Sequence, residues 1–200
     1  MSNIVEPLAD PLVRQIAARV RTERERRRWT LAQLADASGV SSAMISRIER
    51  GESSPTAVVL GKLSAAFQLS VASLLALAEG AWEPGADVPG VRRGADAAEW
   101  RDPGTGYRRR QITGPRFPAE IAEIRLPAGA RVPYPAAAFA FVRQLVWVLD
   151  GRLTFHDGDT VHELEAGDTV ELGAPAERVF ANTTGSECRY AVALTRDTQP

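Results

Sequence analysis

The spacing of apolar residues changes once along this chain, from helical to alternating, and that change divides it into two kinds of structure. From Pro11 to about Ala78 the apolar residues recur every three or four positions. Leu12, Ile16, Ala17 and Val20 form one stripe that Trp29 continues, and Leu31, Leu34 and Ala35 form the next. Met44, Ile45 and Ile48 follow, then Val58, Val59, Leu63, Ala66 and Phe67, and Leu74, Leu75 and Leu77 close the series. Helix-start signals stand at the breaks: Thr30 with Gln33 reads as a capping box, Ser41 as an N-cap, and Pro55-Thr56 and Ser70 as further starts. The pattern predicts five short helices over residues 12–78. From Glu79 to Gly106 it gives way to Gly, Pro, Ala and charge, the composition of a linker, with an edge strand near Ala98 to Arg101.

Over residues 107–196 the period becomes two. Tyr107 to Thr113, Glu120 to Leu126, Gln144 to Leu149 and Arg152 to Phe155 read as strands, as do Thr160 to Leu164, Thr169 to Leu172, Arg178 to Ala181 and Arg189 to Thr195. Turns such as Asp150-Gly151 and Asp157-Gly158-Asp159 separate them, and short strands at this spacing predict a small antiparallel barrel or sandwich. The fold class is therefore α+β multidomain, all-α first and all-β second.

Composition narrows the function classes. No run of 18 apolar residues is present, and the N-terminal MSNIVEPLADP lacks the pattern of a secretory signal, so neither a membrane partner nor export is expected. A single cysteine, Cys188, suits a reducing cytoplasm. Residues 1–80 hold ten basic against eight acidic side chains and the remainder fourteen against seventeen, a small asymmetry that decides little, because nucleic-acid binding needs a basic face and not a basic chain.

The segment LAQLADASGVSSAMISRIERG, Leu31 to Gly51, has the ingredients of two helices joined by a tight turn. Ala35 is small enough for a close helix crossing, and Gly39 tolerates the positive φ of the turn. In the second helix, Ser41 to Arg50, Ile45 and Ile48 face the core and leave Ser42, Ala43, Ser46 and Arg47 outward to reach base edges. Arg47 suits a bidentate guanine contact. Thr30, Ser41, Arg50 and Thr56, at helix ends and rims, are candidates to hold phosphates through hydroxyl, guanidinium and backbone N–H groups. The run Arg19 to Arg28, interleaved with Glu23 and Glu25, reads as a solvated helix face laced by i,i+4 pairs, with Arg27 or Arg28 within reach of a phosphate. With the continuation ERGESSPT and a Leu-rich closing helix, this segment resembles the Cro/C1 (xenobiotic response element, XRE) family of bacterial and phage regulators over residues 14–78. The resemblance implies a double-stranded DNA operator as partner and a homodimer on two half-sites.

QLVWVLDGRLTF (Gln144 to Phe155) and LEAGDTVELGAPAERVFANTTG (Leu164 to Gly185) resemble a cupin domain, a double-stranded β-helix barrel. That family usually holds a metal through two His and a Glu in a first motif and one His in a second. Here Gln144 falls at the glutamate, Arg178 at the second-motif histidine and Asn182 at the family's asparagine, and residues 135–140 contain no histidine. An amide and a guanidinium are not metal donors, so no metal, no cofactor and no catalytic residue is expected. His156 and His162, the two histidines present, flank a hairpin turn and read as solvated. What remains is a barrel that binds a small effector. Gln144, Val146, Arg178, Phe180 and Asn182 are expected to face the cavity, with Tyr134, Phe139 and Phe141 at its mouth. Arg178 is the candidate for holding an anionic group. Two alternatives stay open: a metal-independent, isomerase-like cupin enzyme fused to a DNA-binding module, and a repressor whose barrel only dimerises.

Overall fold

The computed structural model describes residues 11–78, 91, 93, 94, 97, 99–114, 117–140 and 142–196. Five helices come first: α1 (Pro11–Arg26), α2 (Leu31–Ser38), α3 (Ser42–Glu49), α4 (Ala57–Ala66) and α5 (Val71–Ala78). Side-chain caps set their starts. Thr30 and Gln33 form a reciprocal box, Thr30 N–H donating to Gln33 Oε1 at 2.8 Å and Gln33 N–H to Thr30 Oγ1 at 3.2 Å. Ser41 Oγ accepts from Met44 N–H at 3.3 Å, Thr56 Oγ1 from Val59 N–H at 3.3 Å, and Ser70 Oγ from Ser73 N–H at 2.8 Å. Gly39 ends α2 at φ 64°, and its N–H donates to Ala35 O at 2.8 Å.

Ten strands follow among the described residues: β1 (Glu99–Arg101), β2 (Arg108–Gln111), β3 (Glu120–Leu126), β4 (Arg131–Tyr134), β5 (Val142–Asp150), β6 (Arg152–Asp157), β7 (Thr160–Glu165), β8 (Thr169–Glu171), β9 (Arg178–Ala181) and β10 (Cys188–Arg196). They build a six-stranded sheet in the order β1-β2-β3-β10-β5-β8 and a four-stranded sheet β4-β9-β6-β7, every pairing antiparallel. Two of the ten lie outside the eight strands of the main sequence reading. β1 is the edge strand anticipated near residues 98–101, inside the stretch read as linker, and residues 79–90 lie outside the described residues. β4 was not anticipated. Its sequence RVPY carries Pro133, which demotes a run as a strand, yet β4 is the edge of its sheet, where a missing N–H is tolerated. No helix among the described residues is long and apolar enough to cross a membrane.

Helices and barrel share one connected set of buried apolar residues, from Ile16, Leu34 and Ile45 through Leu60 and Leu74 to Val132, Phe139 and Phe180. The junction is specific. Asp102, just past β1 and 2% exposed, accepts from the first N–H of α4, that of Ala57, at 2.7 Å. Its other oxygen accepts from Thr105 N–H at 2.8 Å and from Thr105 Oγ1 at 2.6 Å. Ser73 Oγ in α5 donates to Glu120 Oε1 in β3 at 2.6 Å. Gly61 in α4 meets the ring of Tyr134 in β4 so closely that a Cβ there would lie 2.7 Å from Tyr134 Cδ1.

That contact generates a prediction. Replacing a helical glycine with alanine ordinarily gains about 1 kcal/mol. The Tyr134 ring is held at 6.3 Å by Phe139 and at 6.0 Å by Phe180, so it cannot swing aside freely. Gly61→Ala is therefore expected to lower the stability of the full chain by about 1–2 kcal/mol in urea unfolding. A gain in stability would show that the two halves do not press together here.

Candidate nucleic-acid interface and barrel cavity

A helix of eight residues does not persist alone in water, so the placement of α3 comes from what it buries and clasps. Ile45 and Ile48 are 0% and 1% exposed. On the opposite side Ala43 and Arg47 are exposed, and the Arg47 guanidinium makes no hydrogen bond among the described residues. Ser42 is half-buried at the rim, its Oγ 3.5 Å from Leu31 O. Ser46 is also half-buried and accepts from Arg50 Nη1. Thr30 and Ser41 are exposed at the starts of α2 and α3. Six of the eight residues expected to face DNA are thus exposed or half-buried at the starts of α2 and α3 or along α3.

The other two, Arg50 and Thr56, stand beside groups that already have partners within the chain. Arg50 is held by Glu52, its Nε donating to Oε1 at 2.5 Å and its Nη2 to Oε2 at 2.8 Å. That pairing holds Glu52 below the usual carboxylate range through the hydrogen bond from Arg50. A phosphate at Arg50 would have to compete with this carboxylate for the same charge. Thr56 was expected to present an α4 N-terminus open to phosphate, but Asp102 already occupies that electropositive end. Arg27, too, is committed: it donates to Glu23 and to Phe67 O, and its guanidinium lies 5.0 Å from the Phe67 ring centre.

The basic run does more than solvate a helix face. Arg21 and Glu25 form the expected i,i+4 pair at 2.8 Å, and Glu23 gathers Arg19 and Arg27. Arg24 instead reaches across to α3, its Nε donating to Glu49 Oε1 at 2.7 Å and its Nη2 to Glu49 Oε2 at 2.8 Å, while its Nη1 donates to Trp29 O at 2.9 Å. The side chains are 15% and 8% exposed. This two-pronged clasp fixes the C-terminal end of α3 against α1. Sequence reasoning missed it because nothing local marks one arginine in a basic run as the one with a distant partner.

Between the barrel and the start of α5 lies a cavity of about 70 Å³, room for several waters or a small organic molecule. Tyr134, Phe139, Gln144 and Phe180 line it, as expected. Phe141 lies outside the described residues. Three expected residues do not line it. Val146 is a fully buried core residue. Asn182 spends its side chain on the end of β3 and the loop that follows β9: Nδ2 donates to Leu126 O at 2.9 Å and Ser186 O at 2.7 Å, and Oδ1 accepts from Thr184 N–H and Oγ1 at 3.0 and 2.7 Å. Arg178, 1% exposed, donates from Nε to Asp157 Oδ1 at 2.8 Å and from Nη2 to Ala174 O at 2.9 Å. Its guanidinium lies 4.7 Å from the Phe139 ring centre. The cation that lines the cavity is Arg109 of β2, together with Tyr107 and Tyr190. The signal was present: Tyr107, Arg109 and Gln111 alternate inward along β2, but a run of three arginines reads as solvated surface.

The cupin metal does not fit here. Gln144 and the ion-paired Arg178 guanidinium stand at donor positions of the family pattern, and a buried cation repels a metal ion. No group of three or more His, Cys, Asp or Glu suited to a metal occurs among the described residues.

Comparison with known proteins fits this geometry. Residues 20–74 match the family described as Helix-turn-helix (HTH_3), and that segment is a helix-turn-helix domain of the Cro/C1 type. The HTH-type transcriptional regulator SutR of Escherichia coli (strain K12) is 38% identical over 64 residues, 32% of this chain and 36% of that relative, so the match spans about a third of each. Among solved structures, an HTH_3 family transcriptional regulator from Vibrio cholerae is 22% identical with a TM-score of 0.72, covering 93% of this chain and 98% of that one. The order of a helical half and a barrel is therefore a shared fold. A Cupin_2 domain of an XRE family transcriptional regulator from Enterobacter cloacae is 15% identical with a TM-score of 0.41, covering 44% of this chain and 95% of that one.

Removing either partner of the clasp strands a charge in a nearly closed site. Arg24→Ala and Glu49→Ala are each expected to cost about 2 kcal/mol in denaturant unfolding. The double variant should cost clearly less than the sum of the two. Additive losses would mean that the pair does not hold α3.

Proposed function

We propose that this chain is a DNA-binding transcription regulator in which α3 lies in the major groove and the barrel takes up a small effector. Ser42, Ala43, Ser46 and Arg47 meet base edges, with Arg47 bidentate to a guanine. Thr30 and Ser41 meet phosphates at the starts of α2 and α3. One such helix touches only a few base pairs, so two copies are needed on two half-sites about one helical turn apart. The observation that carries the reading is the split of α3: two isoleucines sealed in the core, and a free arginine and an alanine on the open side, inside a helix-turn-helix segment.

The barrel's part is binding. Its cavity is lined by no histidine and no carboxylate among the described residues, which favours holding a ligand over turning one over. Tyr134 and Tyr190 are pushed well above the usual tyrosine range, first by burial, which makes them poor proton-transfer groups at neutral pH. The same cavity speaks against a barrel that serves only to dimerise, since a purely structural barrel has no use for buried polar walls around an open space.

Selection from a pool of random duplexes at moderate salt tests the reading. The wild-type chain should enrich a motif of two inverted half-sites. Arg47→Ala should bind the enriched duplex about tenfold or more weakly and relax the preference at one guanine. Undiminished affinity and unchanged preference in the alanine variant would remove α3 from the reading role.

A further inference from the structure

Among the described residues two arginines of the barrel are buried, and one of them has a carboxylate. Arg178 is paired with Asp157. Arg109, 5% exposed, has one hydrogen bond, from Nη2 to Gln111 Oε1 at 3.0 Å, and no described carboxylate within ion-pair distance. A buried guanidinium without a counter-charge is costly, and this one lines the cavity. An anion inside the cavity removes that cost.

We infer that the cavity is a binding site for a small organic acid, its carboxylate held by Arg109 beside the hydroxyls of Tyr107 and Tyr134 and its short apolar chain against Ile124, Val192 and Leu194. The walls fit this class. Burial is the main cause that raises the Tyr107 hydroxyl and pushes the Tyr134 hydroxyl well up, so both stay protonated; the two also bond to each other, which leaves one O–H of the pair to donate toward an anion. The planar guanidinium matches a carboxylate fork, and the aliphatic side chains beside it on β3 and β10 offer nothing polar to the rest of the molecule. A phosphate would bring up to two charges to a single cation and leave the apolar wall unused. The open volume limits the ligand to a few heavy atoms.

The site also touches the helical half. Ser70 and Val71, at the start of α5, line the same cavity. Ser70 caps α5, and α5 packs on α1, whose Arg24 clasps the recognition helix. An occupied cavity therefore presses on the base of the helical domain directly. That consequence rests on the regulator reading; acid binding itself does not.

Calorimetry on the full-length chain with acetate, butyrate, succinate, butyramide and inorganic phosphate tests the site. Butyrate should bind with one site per chain. Arg109→Gln should weaken it about tenfold or more, and Arg131→Gln, an exposed arginine on β4, should leave it unchanged. Butyramide, of the same size but uncharged, should bind wild type about tenfold more weakly than butyrate, an arm that needs no variant to fold. No heat from any carboxylate, equal binding of butyramide and butyrate, or a preference for phosphate would each overturn the inference. A chain that binds butyrate through Arg109 but selects no duplex would sink the regulator reading and leave the site standing.

Discussion

Everything that faces outward from α3 depends on what α3 buries. Eight residues with one side-chain cap do not make a stable helix in water. Its orientation is a tertiary product of two sealed isoleucines and the Arg24–Glu49 clasp. Burying each isoleucine is worth about 2 kcal/mol and sets which face is hidden. The charge pair adds direction, because a two-pronged guanidinium–carboxylate contact tolerates little rotation. Ala43 and Arg47 are outside because Ile45 and Ile48 are inside.

The second constraint is the fastening of barrel to helices. A helix N-terminus attracts anions, and in many nucleic-acid complexes that anion is a phosphate. Here the α4 end is filled by the chain's own Asp102, so in the proposed regulator the DNA-facing surface narrows to the starts of α2 and α3 while α4 becomes the barrel's anchor. Gly61 brings α4 close to Tyr134, and Tyr134 in turn forms a wall of the cavity. A path of packed groups thus runs from the barrel interior to the helical core: Tyr134 to α4, and Ser70 with Val71 to α5. In the proposed regulator this packed junction, and not only a tether between domains, is where occupancy of the barrel reaches the DNA-binding half.

Local chemistry was legible in the sequence, and long-range pairing was not. Thr30 with Gln33, Ser41, Thr56 and Gly39 announce their roles because caps and left-handed turns are decided within three or four residues. The change of period gave two halves for the same reason. β4 escaped notice because Pro133 is a poor strand residue anywhere except at an edge, and edges are fixed only by the completed sheet. Arg178 was expected to face the cavity on similar grounds: it is buried, but whether a buried guanidinium meets a carboxylate depends on Asp157, 21 residues away along the chain. Arg24–Glu49 and Asp102–Ala57, separated by 25 and 45 residues, leave no local trace at all.

Amide hydrogen exchange of the full chain, alone and saturated with a duplex enriched from a random pool, tests most directly whether α3 is the reading surface. Exchange should slow at the starts of α2 and α3 and along the turn between them, and the outer strands β7 and β8 should be unaffected. Retained affinity with unchanged exchange across residues 30–47, or protection confined to the barrel, would contradict the placement of that helix against DNA.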